Sequence, residues 1–149
     1  MATTRQVLGA YGEACVTREC ACPKCKRNRS LVRLPNNFKC ADVICDFCGY
    51  LAQVKASTTA NIDKIPPTVL GAAWGPQLQR MEAAIYFPLS LVLADKDMTK
   101  RAIYYLAADL QIPEMFRPRK PLSVSARRAG WQGFLYDLSA VRDRFVRLR

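Results

Sequence analysis

The chain has 149 residues, half of them apolar, which is typical of one globular domain with its own hydrophobic core. Its 23 basic residues outnumber its 12 acidic ones and give a formal charge of +11, which favours nucleic acid as a partner, with a merely solubilising basic surface as the alternative. The sequence contains no histidine, and this absence excludes Ser-His-Asp and Cys-His catalysis, HNH nuclease chemistry and zinc sites that need imidazole.

Helical and strand periodicity predicts an α/β domain built around a mixed sheet. In chain order the predicted elements are a helix (5–19), two strands (38–44 and 50–57), a turn-rich segment (61–76), a second helix (77–86), two buried strands (88–94 and 102–106), a loop rich in Pro and Arg (113–121) and a last strand near 134–138. The final eight residues are half arginine, a pattern equally typical of an electrostatic arm and of a solvated end.

Nothing in the sequence predicts a membrane association. The N-terminus has no apolar core of signal-peptide length. The longest largely apolar run, 83–94, includes Pro88 and Ser90 and is too short to span a bilayer. We therefore expect a cytoplasmic protein, and in a reducing compartment seven cysteines favour metal binding over disulfides.

Two CxxC motifs, Cys22–Cys25 and Cys45–Cys48, predict a four-cysteine zinc ribbon. Each motif supplies two thiolates, and Gly49 suits the tight turn after the second. Four sulfur ligands leave no open position on the ion, so the zinc is expected to be structural. Buried free cysteines are the alternative. The remaining cysteines are expected in the core, although one of them competes for a ligand position; they are Cys15, Cys20 and Cys40.

Three polar side chains flank the second CxxC motif. Asp42 lies three residues before Cys45, and Gln53 and Lys55 lie five and seven residues after Cys48. A hairpin closed by this motif places Asp42 about opposite Gln53, and alternation puts Gln53 and Lys55 on one face. A carboxylate, an amide oxygen and an ammonium group together suit Mg²⁺ binding and phosphodiester hydrolysis. The alternative is a polar strand face with a surface lysine.

A family resemblance adds to this pattern. The segment Lys120–Trp131 reads KPLSVSARRAGW, and Gly133 and the DLS sequence of Asp137–Ser139 follow it. With CPxC, then Ala-Asp ahead of CxxC, then QxK, in matching order and similar spacing, the chain resembles the DpnI/Dam-replacing family of PD-(D/E)xK restriction endonucleases. The resemblance covers roughly residues 5–141.

The resemblance implies a PD-(D/E)xK restriction-endonuclease-like core, a mixed sheet flanked by helices, with an inserted four-cysteine zinc ribbon. The implied nuclease-like domain spans residues 1–141 and includes the ribbon at about 20–49. Residues 142–149 are left as a basic C-terminal tail.

The resemblance also implies residue roles. Asp42 would be the metal-binding acid, Gln53 the second metal-ligand position and Lys55 the catalytic lysine. Glu13 resembles the helix-borne acid of several such nucleases, with a solvated helix glutamate as the alternative. Two further residues, Arg127 and Arg128, are expected to contact the phosphate backbone of DNA, unless one of them pairs with a carboxylate such as Asp137.

The sequence departs from the family in two respects. Gln53 stands where the family usually has a carboxylate, so metal affinity is expected to drop. The family's winged-helix domain contributes to the reading of adenine-methylated GATC, and it would begin about where the given sequence ends. Methyl specificity would then come from the nuclease domain alone or from a separate protein.

We therefore expect a metal-dependent endonuclease that acts on double-stranded DNA in restriction or mobile-element defence, in a bacterium or phage. The candidate substrate is adenine-methylated DNA, and the expected ions are structural Zn²⁺ and catalytic Mg²⁺ or Mn²⁺. One alternative is a catalytically inactive DNA-binding protein that retains the nuclease fold and zinc ribbon. Another is a zinc-ribbon module that binds an acidic protein partner.

Overall fold

The computed structural model describes residues 3–35, 38, 41–119, 123–125 and 130–149. Along them lie helix α1 (Thr4–Glu19), strands β1 (Leu31–Arg33), β2 (Val43–Cys45), β3 (Leu51–Thr58) and β4 (Thr68–Trp74), helix α2 (Gly75–Glu82), and strands β5 (Leu89–Ala94), β6 (Arg101–Leu106), β7 (Phe116–Pro118), β8 (Trp131–Asp137) and β9 (Val146–Arg147). Short 3-10 helices cover Ala108–Leu110, Pro113–Met115 and Ser139–Arg144. Among the helices described, none combines the length and the apolar character that crossing a membrane requires.

Within the described residues, the larger sheet has six strands in the order β1-β2-β3-β5-β6-β9. Its neighbours pair antiparallel, except that β3 and β5 run parallel from the Gln53–Leu89 pair to the Thr58–Ala94 pair. Strand β5 is buried at every position, and five of its six residues are apolar, as expected of a central strand covered on both faces. The mixed sheet predicted from the sequence is confirmed.

A smaller antiparallel sheet, in the order β4-β8-β7, covers one face of the larger sheet. The buried Phe134 and Tyr136 of β8 share a core cluster with Leu91 and Leu93 of β5. Val92, between those two leucines, belongs to the cluster on the other face, under α1. Successive side chains of β5 therefore point to opposite faces of the larger sheet and enter different core clusters.

Helix α1 packs unusually close to the larger sheet. A capping box begins it: the Gln6 N–H donates to Thr3 Oγ1 at 3.2 Å, and the Thr3 N–H donates to Gln6 Oε1 at 2.8 Å. A Cβ atom placed on Gly12 would lie 2.8 Å from the Cβ of Ala56 on β3. Only glycine permits this approach, which fixes the position of the next residue, Glu13.

The structure differs from the predicted elements in several places. Residues 68–74 were expected to be turns but form β4, because pairing with β8 along seven residues overrides the prolines that precede it. Strand β7 lies within the expected loop over 113–121. Helix α2 ends at Glu82 rather than at residue 86, since Ala84 has a φ of +58° that no α-helix continues.

The residues after 141 join the fold. They form the end of a 3-10 helix and strand β9, in which Val146 pairs with Tyr105 of β6. The Nε of Arg149 donates to the backbone carbonyl of Glu19 at 2.8 Å. The domain boundary at residue 141 stays a prediction, whereas the described contacts tie this segment to the larger sheet.

Candidate functional site

Four cysteine sulfur atoms meet where the loop after α1 reaches the β2–β3 turn. The Sγ atoms of Cys22, Cys25, Cys45 and Cys48 all lie within 4.8 Å of one another. The Cys22–Cys48 pair is 3.6 Å apart and the Cys25–Cys45 pair is 3.7 Å apart. A tetrahedral ion with Zn–S bonds of about 2.3 Å requires sulfur–sulfur edges of about 3.8 Å, so this donor set fits zinc.

The backbone follows the same turn geometry at both CxxC motifs. The Lys26 N–H donates to the Cys22 carbonyl, and the Gly49 N–H donates to the Cys45 carbonyl, each at 2.9 Å. Lys26 and Gly49 both have left-handed φ, at +64° and +77°. The two turns therefore present their sulfur atoms to one point. Among the other cysteines, Cys20 is buried outside this cluster and Cys40 lies outside the described residues.

The β2–β3 pairing brings Asp42 beside β3. Val43 pairs with Ala52, and the Asp42 N–H donates to the Ala52 carbonyl at 2.9 Å, so Asp42 lies opposite Gln53 as the sequence predicts. Beyond Ala52, β3 pairs with β5 along its other edge, and the Val54 N–H donates to Asp42 Oδ2 at 2.8 Å. This hydrogen bond from the backbone of β3 holds the Asp42 carboxylate at the edge of that strand.

Gln53 and Lys55 alternate with buried residues along β3. Ala52 and Val54 are buried under α1, whereas Gln53 and Lys55 are half-buried on the side of the smaller sheet. The Nζ of Lys55 lies 5.7 Å from the centre of the Tyr136 ring, within the range of a cation–π contact. The Tyr136 ring on β8 therefore contacts the Lys55 side chain from the smaller sheet.

The half-buried carboxyl of Glu13 belongs to the same electrostatic environment. Burial raises the pKa of Glu13, and the negative charge of Asp42 raises it further, while the positive charges of Arg33 and Lys55 act in the opposite direction. The Arg33 Nη2 and Glu13 Oε2 atoms are 3.8 Å apart. The net pKa stays above its ordinary value, first because the carboxyl is partly removed from water and second because Asp42 is a neighbouring carboxylate.

Carboxylate oxygens are the donors that Mg²⁺ and Mn²⁺ prefer, and a divalent cation between Glu13 and Asp42 would offset their repulsion. The chemistry of this donor set therefore fits a hard cation, with the amide oxygen of Gln53 as a neutral candidate ligand. No sulfur or imidazole group is needed, in keeping with a chain that has no histidine.

Gln53 lines a separate pocket with Gln77, Arg80 and Tyr86, and Lys55 lines a cleft of about 330 Å³. It separates the N-terminal half of α1 from the open edge of β3 and from β4. Arg5 and Lys55 contribute the charged groups, and the rest of the lining is Leu8, Gly9, Val54, Ala56, Ser57, Thr58, Val69 and Leu70.

Some of the residues that shape this site carry no sequence signal. Arg33 pairs with Glu13 only because β1 lies beside β2, with Arg33 opposite Val43. Tyr136 reaches Lys55 through the docking of the two sheets. Asp137, a candidate partner of the predicted DNA-binding arginines, forms an ion pair with Arg117. Arg127 and Arg128 themselves lie outside the described residues.

A mixed-sheet α/β fold with four clustered cysteines defines a small protein that is compatible with zinc binding. The family model described as the Dam-replacing family, DpnI, matches residues 2–146. The chain therefore belongs to the Dam-replacing family, as the sequence motifs predict. Membership indicates a restriction-type nuclease whose partner is DNA.

Proposed function

We propose that this protein is a metal-dependent endonuclease of the PD-(D/E)xK type that hydrolyses phosphodiester bonds in double-stranded DNA. Adenine-methylated DNA is the candidate substrate, and restriction or defence against mobile elements is the proposed role. The observation that supports this proposal best is the position of Asp42 opposite Gln53, in the same electrostatic environment as Glu13 and Lys55.

In this proposal Asp42 and Gln53 hold Mg²⁺ or Mn²⁺, and Glu13 completes the ligand set. The bound ion would polarise the scissile phosphate and lower the pKa of a water molecule. Lys55 would donate hydrogen bonds to the phosphate oxygens and stabilise the negative charge that develops there. Tyr136 limits the freedom of Lys55 and so orients its ammonium group.

The proposed zinc ion plays a structural part. Two of its four thiolates would come from the β2–β3 turn, with Cys45 three residues after Asp42 and Cys48 five residues before Gln53, and the other two from the loop after α1. Closing that turn would fix the strand register on which the pairing of Asp42 with Gln53 depends. The ion would have no open coordination position for water or substrate.

A cleavage assay tests the proposal directly. Purified protein would be incubated with plasmid from methylating and non-methylating hosts, in Mg²⁺ or Mn²⁺. Asp42→Asn is the test variant, and Asp97→Asn, which removes a charge from the exposed β5–β6 turn, is the matched control. We expect cutting of the methylated plasmid that Asp42→Asn abolishes and Asp97→Asn retains.

The other outcomes separate the remaining functions. Cutting of both plasmids would keep the nuclease and remove its methyl specificity. Salt-sensitive binding without any cutting would favour a catalytically inactive DNA-binding protein. If the protein neither cuts nor binds DNA, the remaining candidate is a zinc-ribbon module that binds a protein partner.

A further inference from the structure

The zinc ribbon ends in an exposed aromatic residue surrounded by positive charge. Phe47 lies between two of the clustered cysteines, and 64% of it is exposed, the largest value among the large apolar side chains in the described part of the chain. Exposed basic side chains from the first CxxC turn lie on the same ribbon; together with Phe47 we call them the ribbon tip, which comprises Lys24, Lys26, Arg27, Arg29 and Phe47.

Contacts within the ribbon tip hold its aromatic and basic groups together. The guanidinium carbon of Arg27 lies 4.3 Å from the centre of the Phe47 ring, which joins the two CxxC turns by a cation–π contact. Lys26 and Arg29 have left-handed φ of +64° and +57°, and both side chains are exposed. The tip includes four cations, and Asp46 is the single acidic neighbour that the two CxxC turns contribute.

An exposed phenylalanine alone is unremarkable on a protein surface. A phenylalanine that contacts an arginine and is surrounded by cations indicates a more specific partner. That partner must offer apolar surface for the ring and negative charge for the cations. Duplex DNA offers both, since phosphates lie beside sugars and beside base edges that are exposed in the grooves. An acidic protein surface would satisfy the cations and leave Phe47 unexplained.

The ribbon tip also lies close to the candidate site along the chain. Asp42 precedes Cys45 by three residues, and at a strand rise of about 3.3 Å per residue this separation is about 10 Å. In a duplex with one base pair per about 3.4 Å, the same distance corresponds to about three base pairs.

We propose that the ribbon tip is a second DNA-contact surface, which binds the duplex a few base pairs from the cleavage site. The basic side chains contact phosphates, and Phe47 packs against sugar and base edges in a groove. This inference rests on the proposed function for its duplex substrate. It assigns the ribbon a binding role beyond its structural one.

The test measures the affinity of the purified, zinc-loaded protein for fluorescent duplex DNA, with Ca²⁺ in place of Mg²⁺. Phe47→Ala and Arg27→Gln are the test variants. Val146→Ala, which trims an exposed residue on the opposite edge of the larger sheet, is the control for apolar truncation. Lys64→Gln, in the exposed β3–β4 loop, is the control for charge removal. Zinc content is measured for every variant.

We expect Phe47→Ala to weaken duplex binding about tenfold, because the substitution removes an apolar contact that is buried in the complex. Arg27→Gln should lower the slope of log affinity against log salt by about 0.9. The controls should stay near the wild type, and all variants should keep their zinc.

Several results would overturn the inference. If the wild type binds duplex and both tip variants bind it equally tightly, the second surface is rejected and the proposed function stays intact. Titrations with one labelled strand alone provide a second comparison, and a loss of affinity confined to that single strand would reject the duplex as the partner of the ribbon tip. No binding of DNA by the wild type would reject the inference together with the proposed function.

Discussion

Gln53 occupies the position at which the family resemblance expects a carboxylate, and Asp42 lies opposite it across the β2–β3 pair. The amide supplies a neutral oxygen in place of a charged one. Because hard cations are held largely by the charge of their ligands, the proposed metal site is weaker than a site with two strand-borne acids. The half-buried carboxyl of Glu13 becomes correspondingly more important.

Gln53→Glu should therefore lower the Mg²⁺ concentration that gives half-maximal cleavage, by about tenfold, since it adds one negative charge to the proposed ligand set. Gln79→Glu, which makes the same change at an exposed position of α2, is the control. A metal titration of plasmid cleavage checks the prediction. An unchanged metal requirement in Gln53→Glu would contradict the role of Gln53 as a ligand.

Glu13 predicts a dependence of stability on pH. Burial and the charge of Asp42 raise its pKa, so its contribution to stability is present below the unfolded pKa and is lost as pH rises through the folded pKa. At neutral pH, without Mg²⁺, Glu13→Gln should raise the melting temperature by about 2 °C. Mg²⁺ should then stabilise the wild type more than the variant.

Thermal unfolding of the zinc-loaded proteins at several pH values, with and without Mg²⁺, measures both effects. A melting temperature that falls in Glu13→Gln at neutral pH would show that the ion pair with Arg33 outweighs the repulsion. Equal stabilisation of the two proteins by Mg²⁺ would remove Glu13 from the ligand set.

At the scale of elements, the contact between α1 and β3 positions the acid on the helix. Gly12→Ala should destabilise the protein by about 1–3 kcal/mol, because its new Cβ would lie 2.8 Å from the Cβ of Ala56. Gly9→Ala is the matched control, since nothing lies within 4 Å of a Cβ there and alanine favours the helix by about 0.5–1 kcal/mol.

Denaturant unfolding of both variants gives these energies. Adding Ala56→Gly to Gly12→Ala removes the opposing methyl group and should recover part of the loss. A Gly12→Ala protein as stable as Gly9→Ala would mean that α1 shifts freely on the sheet, and the close packing would then not explain the position of Glu13.

The cluster of four cysteines gives a second prediction at this scale. Cys25→Ser removes one sulfur of the cluster and should abolish stoichiometric zinc, whereas Cys20→Ser should retain one ion per chain because Cys20 lies outside the cluster. Metal analysis of the purified proteins decides this. Zinc bound to Cys25→Ser but lost from Cys20→Ser would reassign the ligand set.

Local signals in the sequence predict α1, β3, β5 and β6 to within one residue at each end, and β5 and β6 are the clearest because they are short, largely apolar segments. The CxxC spacing predicts the four-cysteine cluster and, through the turn that it closes, the pairing of Asp42 with Gln53. β4 could not be predicted in the same way. Its partner, β8, is distant in sequence, and the prolines ahead of β4 indicate a turn.

The same limit applies to the candidate site. Residue type and spacing identify Asp42 and Lys55, but the partnership of Arg33 with Glu13 depends on the order of strands in the sheet. The contact of Lys55 with Tyr136 depends on how two sheets pack. Neither arrangement leaves a periodic pattern in the sequence.

At the scale of the whole molecule, the formal charge of +11 sets the strength of long-range attraction to DNA. Each phosphate neutralised releases counterions, so log affinity should fall linearly with log salt, by about 0.9 for each contact. Binding titrations between about 50 and 200 mM salt should lose at least about a hundredfold in affinity. A flat salt response would exclude a phosphate-dominated interface.

The cation–π contact between Lys55 and Tyr136 also has a consequence for the timing of synthesis. Tyr136 follows Lys55 by 81 residues, so at about 5–20 residues per second the ribosome delivers it several seconds later. During that interval the nascent chain already contains the proposed metal ligands but lacks the ring against which the lysine rests. The proposed cleavage site is therefore incomplete until the second sheet has folded against the first.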